Sequence, residues 1–207
     1  KRNIHRVYDI IKIEKNKAKV KMSNLKPIAP QFAASSPTTL MLKEKKFASL
    51  SGDSGKVEDA DGNVVFKIDA KLMSMSARRM IKDASGADIG SVRARKTPGI
   101  HKMWYLGTND DEKKCAVKSK GTLNPTNCDA DIYVGDSVVG EVSGNWRAKT
   151  FKIVIDGNQA AVVSRKTSAA SLLLDADSYC IDISAGVDQA FILMVVIALD
   201  EIYHDQN

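Results

Sequence analysis

Most of the features by which enzymes are recognised are missing from this sequence. Its 207 residues include only three cysteines (Cys115, Cys128, Cys180), three scattered histidines (His5, His101, His204) and 6% aromatics. The cysteines form no C-x-x-C pair and have no histidine nearby, so reduced thiols are expected rather than a zinc site or a disulfide framework. There is no G-x-S-x-G elbow, no H-E-x-x-H and no dinucleotide fingerprint. Gly135 to Gly140 has P-loop glycine spacing, but Glu141 stands at the lysine position and no helix follows, so it reads as a hairpin turn. The expectation is a non-enzymatic protein with no catalytic residue and no cofactor. No apolar run approaches the roughly 20 residues that span a bilayer. Near the start, Ile10-Ile11 is too short for a signal-peptide core and is flanked by charge. The expected compartment is cytoplasmic, peripheral at a membrane as one option and with the nucleus left open.

The chain also lacks a basic body. The formal charge is +6, from 31 basic and 25 acidic residues. Residues 1–21 hold eight of the basic and two of the acidic residues, leaving 23 of each in 22–207. Nucleic-acid binding, which draws on a broadly basic surface, has no strong signal here. Residues 1–21 contain no methionine, and Met22 is expected to be the natural start. The competing reading is a basic amphipathic helix at a membrane, with Ile4, Val7, Tyr8 and Ile11 on one face. Residues 22–38 carry Pro27, Pro30 and Pro37 and are expected to form a flexible leader. The folded domain is expected over 39–204.

What the sequence does contain is one wholly apolar stretch, Ala190 to Leu199, near its end. A helix that is apolar on every face must be surrounded by protein or lipid. At half the length of a span, this one is expected inside a protein core, with Val187, Phe191, Val195, Ile197 and Leu199 among its buried residues. Ahead of it the chain repeats a single device, short segments of alternating polarity joined at Asp-, Asn- and Gly-rich turns. Val64, Phe66 and Ile68 follow Asp61-Gly62-Asn63. Met80–Lys82 and Ile89–Arg95 flank Ser85-Gly86, and Asp131–Val134 and Val138–Val142 flank Gly135-Asp136. Phe151, Ile153 and Ile155 precede Asp156-Gly157-Asn158, with Ala161–Ser164 returning. This is hairpin patterning. Many antiparallel strands and one apolar helix share an economical solution: a closed barrel with the helix filling it.

The hairpin Lys56–Ile68 and the ending from Tyr179 through Gly186-Val-Asp188-x-Ala-Phe191 into Leu199-Asp-Glu201 resemble the LURP-one-related family. That family belongs to the tubby C-terminal-like superfamily, together with the phospholipid scramblases. The resemblance covers roughly residues 38–204. It implies a mainly β fold, a closed antiparallel barrel of about twelve strands around a central hydrophobic C-terminal helix.

Local charge supplies the candidate site. Arg93 and Arg95 share one face of their strand with Val92 and Ala94 on the other; Lys96 follows, and Lys118 and Lys120 show the same spacing. Two such strands side by side could hold a phosphorylated headgroup. Arg78-Arg79 with Lys82, and Arg147 with Lys149, are further basic clusters expected on solvated faces. Because tubby domains bind phosphoinositides, the resemblance favours a monomeric binding module for these or other anionic membrane lipids. The alternatives are a protein-interaction scaffold, or a membrane-tethered regulator of transcription, and a scramblase-like lipid transporter. In scramblases a D-x-D before an aromatic opens a proposed calcium loop, and Asp175, Asp177 and Tyr179 match that opening. Gly186 stands where the closing carboxylate belongs, with Asp188 two residues on, so no metal site is expected.

Overall fold

Two of the hairpin turns show how the short strands find partners through locally encoded contacts. Asp59 Oδ1 accepts from the backbone N–H groups of Asp61 and Asn63, both at 2.9 Å. Asp83 repeats this at the next turn, accepting from Ala87 N at 2.9 Å and from Ser85 Oγ at 2.6 Å. The Asn63 and Ser85 side-chain bonds hold these two carboxyls below the ordinary range. Gly62 and Gly86 supply the positive φ, 84° and 97°, that closes each turn.

The computed structural model describes residues 28–43, 55–71, 78–95, 102–108, 111, 113–121, 126–165 and 178–204. In order these form β1 (Thr38–Lys43), β2 (Gly55–Asp59), β3 (Val64–Lys71), β4 (Arg78–Asp83), β5 (Asp88–Ala94) and β6 (Met103–Gly107). Then follow β7 (Cys115–Ser119), β8 (Ala130–Val134), β9 (Ser137–Asn145), β10 (Thr150–Ile155), β11 (Asn158–Ser164) and β12 (Ser178–Ile183). The helix α1 (Gln189–His204) completes the fold. Each strand pairs antiparallel with its sequence neighbour, and β1 pairs with β12 through Leu40 opposite Ile181, closing the barrel. The expected closed antiparallel barrel of twelve strands is what the chain forms.

The helix runs through the interior. Every residue from Ala190 to Leu199 is buried, including Phe191, Val195, Ile197 and Leu199, and Val187 just before the helix is buried too. Inward residues of the strands, among them Leu40, Phe66, Ile81, Leu106, Ile132 and Ile153, complete the core. The helix lies closest to β5, β6 and β7. Gly90 on β5 makes room for it: a Cβ there would stand 2.3 Å from Gly107 O and 2.8 Å from Met194 Cε. Cys115, Cys128 and Cys180 are buried free thiols. Desolvation pushes Cys115 up to about 12 and raises Cys128 and Cys180 too, which disfavours the thiolate at each.

The proline-rich segment departs from the expectation. From Ile28 onward it is packed rather than a flexible leader. Ile28 and Ala29 are buried, Pro30–Phe32 makes one 3-10 turn, and Phe32 lies 4.8 Å from Phe66 between ring centroids. The reason is a buried carboxylate. Asp188 Oδ1 accepts from Phe191 N at 3.1 Å, capping the helix, while Oδ2 accepts from Ala29 N at 2.7 Å. Gly186 N donates to Ala34 O at 2.7 Å beside them. Residues 28–34 are therefore a strap across the N-terminal end of the helix. Pro30, within the strap, has no backbone donor to satisfy.

Desolvation raises the Asp188 carboxyl above its usual range, against the backbone bonds that favour its charge. The fold thus binds this proton more tightly than the unfolded chain does. Its contribution to stability declines as pH rises from the ordinary carboxylate range to the raised value. Asp188→Ala removes the cap and strands two buried N–H groups, so a loss of roughly 2–4 kcal/mol is expected. A thermal melt of that variant coinciding with the parent's would show that the strap is not held this way.

Candidate functional site

Both ends of the helix consume charge, and that removes several basic residues from the list of ligand-binding candidates. At the C-terminal end Arg79 Nε meets Glu201 Oε1 at 2.6 Å. Lys102 Nζ donates to Ile202 O at 3.2 Å, and Lys149 Nζ lies 3.6 Å from Asp200 Oδ1. Three cations thus answer two acidic side chains and the negative end of the helix dipole. Tyr203 hydroxyl bonds both N and O of Asp129 at 3.1 Å, and its ring stacks on Trp146.

Lys149 corrects the expectation that Arg147 and Lys149 form a solvated pair. Only 4% of Lys149 is exposed. Its Nζ sits 3.4 Å from the Trp146 ring centroid, and its backbone takes a left-handed φ of 49°. A non-glycine residue persists there only where its surroundings over-determine it. The hairpin turn between β9 and β10 points Lys149 inward while Arg147 stays exposed.

The basic cluster at Arg78, Arg79 and Lys82 is divided in the same way. Arg79 faces inward, and Lys82 is tied to Asp69 at 2.7 Å, which raises its pKa through that bond. Arg78 remains on the outer face, directly opposite Arg93 of β5. Arg93 in turn lies opposite Tyr105 of β6, with its Cζ 5.9 Å from the ring centroid. Lys113 Nζ approaches the same ring at 5.4 Å. On β7, Lys118 Nζ lies 6.0 Å from the ring of Tyr133 of β8. Tyr105 and Tyr133 flank Ala116 in the ladder, and Ala116 is buried although its place is on the outer face. Arg93 and Lys113 therefore lie against Tyr105 and Lys118 against Tyr133 on the outer face of the barrel, with Arg78 beside Arg93.

The candidates named from sequence fare unevenly. Arg93 and Lys118 belong to this face. Arg95 is exposed just beyond β5, its N–H donating to Met103 O. The strands of Arg93 and Lys118 are not neighbours, since β6 stands between them and contributes Tyr105. Lys120 is drawn away to Asp131 at 2.9 Å and Glu141 at 3.2 Å, and the Asp131 bond raises its pKa. Lys96, Asp175 and Asp177 lie outside the described residues. Asp188 is spent on its cap and strap. Among the described residues no group of three or more His, Cys, Asp or Glu could hold a metal ion. Lys113, Tyr105 and Tyr133 went unrecognised in the sequence, and only the strand register brings them to Arg93 and Lys118.

The architecture is that of an antiparallel barrel filled by its C-terminal helix. The LURP-one-related family model matches residues 38–200, and the chain belongs to that family. Protein LURP-one-related 10 of Arabidopsis thaliana is 26% identical over 192 residues, covering 87% of this chain and 97% of that protein. Protein LURP-one-related 15 of the same plant is 23% identical over 191 residues, covering 87% of each. The fold is also similar to a crystal structure of an Arabidopsis thaliana protein, with a TM-score of 0.62 at 19% identity. That likeness covers 86% of this chain and 98% of the other.

The two residues of the β9–β10 turn should separate cleanly on substitution. Arg147→Glu should leave the melt within about 0.5 kcal/mol of the parent. Lys149→Ala leaves Asp200 without its ion pair in a largely buried setting and should cost roughly 3–5 kcal/mol. Equal melts for the two variants would return Lys149 to the surface.

Proposed function

We propose that this protein is a non-enzymatic binding module for anionic membrane lipid, phosphoinositides included, which it meets through the outer face of β4 to β8. One observation carries the reading: three cations, Arg93, Lys113 and Lys118, lie against two tyrosines on a single face, with Arg78 beside Arg93. The body as a whole is formally neutral, so such a concentration is local. Guanidinium forks and lysine ammonium groups suit phosphate oxygens, and tyrosine rings suit the boundary between headgroups and acyl chains. Compared with the pair of strands inferred from sequence, Lys113 and Arg78 join Arg93 and Lys118, while Lys120 is engaged by Asp131 and Glu141. The lipid-transporter alternative needed the apolar helix in the bilayer. Among the described residues no helix is long and apolar enough to cross a membrane, and α1 is enclosed by strands.

The test is co-sedimentation of the full chain with phosphatidylcholine vesicles, with and without phosphatidylserine and phosphatidylinositol phosphates. Charge-assisted hydrogen bonds contribute roughly 1.5–3 kcal/mol each, so Arg93→Glu with Lys118→Glu should weaken binding at least about tenfold. The melt should hold, because neither side chain faces the core. Reversal of Lys56 and Lys152, exposed on β2 and β10 outside that face, is the control. If the parent ignores anionic vesicles at low salt, or both double variants bind like the parent, the reading is wrong. A protein scaffold that uses this face for an acidic partner then takes its place.

A further inference from the structure

The basic face has an apolar end. Val138 is the exposed large hydrophobic residue among those described, with 56% of its surface open. It is placed there by a β-bulge. Along β8 and β9 the register passes from Ile132 opposite Gly140 to Tyr133 opposite Val138, leaving Val139 as the extra residue. Val139 turns into the core and its carbonyl accepts from Asp156 N at 3.0 Å. Without the extra residue the side-chain alternation would run unbroken. With it, Val139 is inside and Val138 stands outside beside Tyr133, the re-aiming that bulges produce.

The ladder sets Val138 in one transverse row with Tyr133, Ala116 and Tyr105. Three inter-strand steps of about 4.8 Å separate its ends, so roughly 14 Å of barrel wall carries the row. Lys118 lies against Tyr133, and Lys113 and Arg93 against Tyr105. Cations thus lie against both tyrosines, and the row ends on an exposed aliphatic side chain, Val138. A soluble anion would have use for the cations only. An anionic bilayer offers both phosphates and, just beneath them, an apolar layer.

We infer that the β8–β9 hairpin end, through Val138 and Tyr133, enters the interfacial layer of the bilayer while Lys118, Lys113 and Arg93 hold the headgroups. The inference rests on the lipid reading above and adds to it the depth and orientation of docking. Asp136 at the hairpin tip, an exposed carboxylate, keeps the insertion shallow.

The test places a reporter at the contact. V138W is made in the full chain and mixed with phosphatidylserine–phosphatidylcholine vesicles whose acyl chains are brominated near the headgroup. Trp104 and Trp146 are buried at 6% and 5% exposure, so the parent supplies a low background. The added indole should be quenched and blue-shifted on binding. Val138→Asp should bind several-fold more weakly than the parent at a salt concentration that suppresses charge attraction, with an unchanged melt. V138W that sediments with vesicles yet is not quenched, or Val138→Asp that binds like the parent, overturns the inference and leaves the lipid reading standing. A parent that binds no anionic vesicle overturns both.

Discussion

A helix that is apolar on every face from Ala190 to Leu199 cannot rest on the outside of a water-exposed protein, and the barrel is organised around that constraint. Fully burying each Val, Ile, Leu, Met or Phe side chain contributes roughly 1.5–3 kcal/mol. Nothing but a closed wall collects that contribution on every side of the helix at once. Closure brings its own benefit, since a barrel leaves no unpaired strand edge for another chain to add to. The wall must also come close, and Gly90 shows how close, because a methyl group there would stand only 2.8 Å from Met194 Cε of the helix.

Enclosing the helix creates a problem at each end, where backbone groups lack partners within the helix. The two solutions differ. At the N-terminal end one carboxylate, Asp188, serves both the helix and the strap that covers it. At the C-terminal end Arg79, Lys102 and Lys149 converge from three different parts of the wall. Two groups of basic residues in the body thus have separate places. One stabilises the core helix from inside the wall; the other stands around Tyr105 and Tyr133 outside it.

Much of the fold was legible because its signals are local. Asp61-Gly62-Asn63, Ser85-Gly86 and Gly135-Asp136 mark their turns by residue type alone, and the run from Ala190 to Leu199 announces its burial. The strap was not legible, because three prolines read as a leader until Asp188, distant in sequence, supplies the anchor. Lys149 misled because its inward direction depends on one left-handed residue in a turn, invisible to alternation. The outer face was half legible. Arg93 and Lys118 show period-2 spacing, but their relation to Tyr105, Tyr133 and Lys113 is a matter of register across β5 to β8. Arg78 was visible as a charge, and only the pairing of β4 with β5 separates it from Arg79.

The contact between Ala29 and Asp188 joins residues 159 positions apart, and the closing pair of β1 with β12 is nearly as distant. On the ribosome, with elongation at about 5–20 residues per second, roughly 8–30 s pass between the synthesis of the two partners. Throughout that interval Leu40, Phe66, Ile81 and the other inward side chains have no helix to cover, since α1 follows all twelve strands in sequence. β1 meanwhile waits with one edge unpaired. The finished barrel has no open edge, but the growing chain has one, and the danger of aggregation falls in the time before the helix is made rather than in the native state.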